Sequence, residues 1–302
     1  LLAFMGNGNT LKLGPYRKVV RNGIKWLQEQ QREDGLIGMP SSQVYMYSHA
    51  VATLAICEAY GLSDNYRPLK NVAQNALNYI AQARNTYGVW RYQPKDNDSD
   101  TSISGWMVQA MLSGKEFNLK VDEAAFQAAK LWFDNVTDPV TGQSGYQKRG
   151  EGCSRPVELV DKFPAAKSEA ITAVVLLCRA LMHESPKESP TMDKAAEAIL
   201  KKLPTWNLTD GSIDMYYWYY ATLASFHAGG PQWDAWNRRL RAALLPLQRR
   251  DGGSLDGSWD PDPVWGGHGG RVYSTALSAL TLEVYYRHEP LHERVQRVAA
   301  KP

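Results

Sequence analysis

The chain has 302 residues, 44% of them hydrophobic and 22% charged, and carries a net charge of +3. Both signs are interspersed, which leaves no basic stripe for nucleic acid, and no apolar run approaches the roughly 20 residues of a membrane span. The three cysteines, Cys57, Cys153 and Cys178, match no disulfide or metal-ligand spacing.

The opening LLAFMGNGNT reads as the tail of an apolar helix followed by a Gly-Asn turn. The sequence is therefore expected to be the C-terminal part of a longer chain, cut within a repeat. From Tyr16 to Gln31 the residues Val19, Val20, Ile24, Trp26 and Leu27 recur near helical period, and Gly35 suits a cap or turn. The next helix, Tyr47 to Tyr60, is apolar throughout, predicts burial on both sides, and stops at Gly61.

The same alternation continues. Asn71 to Gln82 predicts a polar-apolar helix, followed by a loop and a smaller buried helix from Thr101 to Met111, ending at Ser113-Gly114. Asp122 to Phe133 is amphipathic, and a long polar segment runs from Asp134 to Lys167. Ser168 to Met182 is an apolar helix, and Met192 to Leu203 leads to DGSIDMYYWYYATL. There five consecutive rings, Tyr216, Tyr217, Trp218, Tyr219 and Tyr220, predict a helix enclosed on every face rather than one apolar stripe. Trp236 to Gln248 and Val272 to Tyr286 form the last pair. Amphipathic and apolar helices thus alternate, with Ala50, Gly105, Ala173, Tyr219 and Ala276 in register. Two classes in strict alternation predict an all-α fold in two concentric layers, an α/α toroid of about six helix pairs with the first truncated, forming one domain over residues 1–302.

The turns WLQEQQREDG (Trp26 to Gly35), Gln82 to Trp90, and Gln248 through Gly252-Gly253 to Gly257-Ser258-Trp259 resemble the QW-type repeat of the squalene cyclase and protein prenyltransferase superfamily. MYSHAVATLAICEAYG, DTSISGW and GGRVYSTALSALTLEVYYR are similar to a bacterial, planctomycete-type branch with prenyltransferase/squalene-oxidase repeats. The resemblance implies inner helices around a central cavity.

It also indicates where chemistry would sit. The acid motif of class II terpene cyclases corresponds to Asn97-Asp98-Ser99-Asp100-Thr101-Ser102, in which Ser99 replaces the proton donor; Asp98 and Asp100 remain as candidate acids, with helix N-capping as the plain alternative. The zinc site of the protein prenyltransferases is not expected: Asp214 matches, but Tyr216 and Ser274 stand at the other ligand positions. Asp214 stays a candidate carboxylate. No cofactor and no metal is expected, and the compartment is left open. Cys153, between Arg149 and Arg155, is placed to have a lowered pKa, although an ordinary loop cysteine is the simpler reading.

The aromatics supply the main functional lead. Trp106, Tyr216, Tyr217, Trp218, Tyr220 and Tyr273, with His49, are expected either to line a ligand cavity or to fill the core. His268 and Arg271, beside a Gly-rich turn, are candidates for an anion-binding rim, whereas His227, His288 and His292 read as capping or surface groups. Three functions follow: a toroid domain binding an apolar or isoprenoid-like small molecule, an active cyclase using Asp98 or Asp100, or a structural domain with a protein partner.

Overall fold

The computed structural model describes residues 1–42, 44–86, 88–185 and 189–287. The all-α expectation holds: 59% of the chain is helical, and no strand occurs among the described residues. The helices fall into two compact units, Leu1–Asn135 and Val136–Pro302.

The first unit contains α1 (Leu2–Gly6), α2 (Arg17–Glu29), α3 (Tyr45–Leu62), α4 (Arg67–Ala83), α5 (Thr101–Glu116) and α6 (Glu123–Val136), the last residue of α6 falling in the second unit. Two classes of helix are present, as the alternation predicts. Twelve of the eighteen residues of α3 are buried, against two of the thirteen in α2. The enclosed helices α3 and α5 pack most extensively on each other, and α4 lies against both. Removal of these apolar side chains from water, about 1.5–3 kcal/mol for each large one, drives the arrangement.

Two sequence boundaries are corrected here. Gly61 and Gly114 end no helix; α3 runs to Leu62 and α5 to Glu116. A Cβ on Gly61 would lie 2.0 Å from the Phe117 ring, and one on Gly114 2.6 Å from a Leu77 methyl. Both glycines admit a neighbouring side chain rather than a change of backbone direction. The expected stripe on α2 is also narrower: Val20 and Ile24 are buried, while Val19 and Trp26 are exposed.

The second unit contains α7 (Ala170–Leu181), α8 (Pro190–Leu200), α9 (Met215–Ala228), α10 (Gly230–Leu244), α11 (Gly266–Leu282) and α12 (Val284–Arg287). Here α7 and α9 form the tightest pair, and α9 also touches α8, α10 and α11. α10 starts six residues before the expected Trp236, because Gly229 turns the chain at φ 69° and Pro231 suits a first helical turn. α11 kinks at Gly270, where φ 65° and ψ −167° interrupt the helix. The segment 137–169 is irregular apart from an antiparallel bridge between Thr137 and Ser144 and short 3-10 turns at Val157–Leu159 and Ala165–Lys167.

Two devices recur in the repeated turns, each in two of the three. Gln31 donates to the carbonyl of Gly35 at 3.3 Å, and Gln248 to that of Gly257 at 2.9 Å. Trp90 and Trp259 each donate their indole N–H to the end of the preceding helix, at Ile80 (2.8 Å) and Leu244 (2.9 Å). The two indoles thereby satisfy carbonyls that a helix terminus leaves open.

Candidate functional site

In the first unit the predicted polar residues serve the backbone. Asp100, fully buried, is the N-cap of α5 and accepts from the Ile103 N–H at 2.9 Å. Asp98 is half exposed, ion-paired with Arg91, and accepts from the Ser99 N–H at 2.8 Å. His49 is fully buried in α3; its Nδ1 accepts from the Ile37 N–H at 3.0 Å and its Nε2 faces the Ala76 carbonyl at 3.1 Å. These partners fix the neutral tautomer with the proton on Nε2. Burial pulls the imidazole down from 6.5 to about 4, against the opposing Ala76 bond and Asp34 charge. Trp106 is buried in α5.

The second unit brings more together. Asp214, the N-cap of α9, accepts from the Tyr217 N–H at 3.0 Å with one oxygen and from Arg155 Nη1 at 2.8 Å with the other. Both side chains are almost wholly buried. Arg155 arrives on the long irregular segment, and its Nε donates to the Phe163 carbonyl at 3.0 Å. Gly211 allows this docking: at φ 72° it lies under the segment, and a Cβ there would sit 2.5 Å from the Lys162 carbonyl. The sequence alone names Arg155 only as a neighbour of Cys153. The segment's one legible signal is a long polar insertion ahead of an apolar helix.

Cys153 sits beside this ion pair, its Sγ 3.2 Å from the Ser168 carbonyl. The alternative of a lowered pKa is corrected: burial raises it, outweighing the Ile171 N–H and Arg155. Cys57 and Cys178 are buried, and burial raises both thiols. Glu169, also buried, accepts from Lys202 at 2.6 Å, Gln143 at 2.7 Å and Thr172 at 3.0 Å.

Of the five consecutive rings, four are buried and Tyr216 alone is partly exposed. Tyr217 points outward from α9, with its hydroxyl donating to the Ile199 and Lys202 carbonyls at 3.1 Å each and its ring edge-on to Trp236. Trp218 packs against Trp206, and Tyr220 against Tyr216 and Tyr219. Tyr273, on α11, is partly exposed and shares the surroundings of Asp214 and Arg155; burial first, then the Asp214 charge, holds its phenol well above the ordinary value.

The rim residues are each matched to a carboxylate. His268 lies 3.4 Å from Glu158, and Arg271 pairs with Asp260 while donating to the Ser258 hydroxyl at 3.0 Å. His227 is buried at the end of α9, while His288 and His292 lie outside the described residues. No group of three potential metal ligands occurs among the described residues, and no helix there is long and apolar enough to cross a membrane.

No family profile and no curated protein matches the chain. Among solved structures it is similar to one described as a novel alpha-amylase from Clostridium perfringens. That likeness has a TM-score of 0.55 at 12% identity and covers 89% of this chain and 80% of the other. The fold is therefore of the α/α-toroid type. At such identity the likeness shows the fold alone and transfers no activity.

Proposed function

We propose that the chain is a single α/α-toroid domain, akin to the prenyltransferase/squalene-oxidase repeat proteins, that binds an apolar or isoprenoid-like molecule against the starts of α9 and α11. The observation that carries this reading is the one uncovered ring, Tyr216, in an otherwise buried block of five. A helix that hides four neighbouring rings and leaves the fifth partly open, with Tyr273 partly open on the adjoining helix, offers flat apolar surface for a ligand. Binding is favoured over proton-transfer chemistry because both oxygens of Asp214 are already engaged and Asp100 caps its own helix.

The test is a titration of the domain with squalene and with a C15 isoprenoid hydrocarbon, followed by native mass spectrometry. Saturable one-to-one uptake that weakens in Tyr216→Ala supports the reading, and absence of uptake overturns it. An α-glucan oligosaccharide belongs in the same series, since sugar rings also stack on aromatic faces. Preferential uptake of the glucan would replace the isoprenoid reading with a carbohydrate one.

A further inference from the structure

The ion pair at the start of α9 is incompletely satisfied. Arg155 uses Nη1 on Asp214 and Nε on Phe163, but its Nη2 is buried without any hydrogen-bond partner. The side chain is only 4% exposed, so bulk water does not supply the missing acceptor. An orphaned donor on a buried guanidinium is costly, and native proteins seldom leave one without a hidden acceptor.

A second orphan lies on α11, next to Tyr273. The Ser274 hydroxyl is fully buried and has no partner. Its helix adjoins the start of α9, because Ser278, one turn further on, contacts the Met215 sulfur at 3.4 Å. Tyr273 itself is electrostatically linked to both Asp214 and Arg155.

Charge selects the class of acceptor. Arg155 is already neutralised by Asp214, and the nearby Glu169 by Lys202. A doubly charged phosphate or diphosphate placed beside these two already paired cations would gain no uncompensated charge from them, at a heavy desolvation cost. A neutral oxygen accepts from the guanidinium without adding charge.

We propose that Arg155 Nη2, with residues 273–274 beside it, holds the neutral oxygen of an otherwise apolar ligand, an alcohol or ketone end, while the aromatic starts of α9 and α11 take its hydrocarbon part. This inference rests on the apolar-ligand reading and adds the polarity of one end.

The experiment compares three probes of matched C15 skeleton: farnesene, farnesol and farnesyl diphosphate. Affinities are read by native mass spectrometry and tryptophan fluorescence on the wild type, Arg155→Lys and Ser274→Ala. Lysine keeps a cation for Asp214 but lacks the second terminal nitrogen, and each variant is first checked for a cooperative thermal transition. The expected result is farnesol binding about tenfold more tightly than farnesene, the worth of one good hydrogen bond to a charged donor. That preference for farnesol over farnesene collapses in Arg155→Lys.

Equal affinity for farnesol and farnesene in the wild type assigns Nη2 to a buried water and overturns the proposal, while leaving the apolar-ligand reading intact. Tightest binding of the diphosphate overturns it as well. Failure of all three probes to bind removes both. If Arg155→Lys does not fold, Ser274→Ala and the wild-type preference still decide.

Discussion

Two helices, one in each unit, begin in the same way and end up in different chemical situations. Asp100 and Asp214 are both buried N-caps that accept from the backbone N–H three residues on, at 2.9 and 3.0 Å. At α5 the neighbouring charged pair, Arg91 with Asp98, stays near the surface. At α9 a guanidinium from a distant irregular segment is driven into the interior onto the cap itself. A cap by itself organises a helix; a cap that also recruits a buried cation from elsewhere sets an ion pair in the interior.

That contrast can be broken most severely at Arg155. Arg155→Met leaves the Asp214 carboxylate buried and unpaired, and should cost about 3–5 kcal/mol of unfolding free energy in urea titrations. A loss below about 1 kcal/mol would mean that the pair contributes no more than a surface bridge.

The first unit should answer to pH instead. His49 titrates near 4 when folded and near 6.5 when unfolded. The folded state thus disfavours the proton, so the stabilisation is complete above about pH 6.5 and is lost as pH falls through about 4. The total change is about 3 kcal/mol, because each tenfold loss of proton affinity is worth about 1.4 kcal/mol. Measurements of stability against pH should show this slope in the wild type and a flatter curve in His49→Gln. An identical slope in both would assign the effect to other groups.

Gly211→Ala is the third test. With φ 72° and the Lys162 carbonyl in the way, an added methyl strains the backbone and lifts the segment that delivers Arg155. The expected loss exceeds about 1 kcal/mol, and limited proteolysis should cut first within residues 150–165. The smallest effect belongs to the cap of α5: Asp100→Ala should cost about 1 kcal/mol and Asp100→Asn a few tenths, read from thermal midpoints.

The helix classes are legible in the sequence because burial on all faces requires apolar residues at all phases, as in 45–62 and 215–228. Caps are legible too, since Asp before an apolar run has a local meaning. Gly61 and Gly114 show where local reading fails. A glycine demanded by Phe117 or Leu77 looks the same in sequence as one demanded by a turn. Arg155 is hidden for a related reason: its partner lies 59 residues away, and no periodicity connects them. Tyr217 is expected among the cavity rings, yet its phase on α9 sends its hydroxyl to α8. A rotation of about 100° per residue separates it from Tyr216.

The most direct measurement is hydrogen–deuterium exchange on the domain with and without saturating farnesol. The account predicts slowed exchange in peptides covering 152–164, 211–220 and 268–276, with peptides covering 95–108 unchanged. Protection confined to 95–108, or none at a concentration where binding is saturated, would contradict the placement of the site at the start of α9.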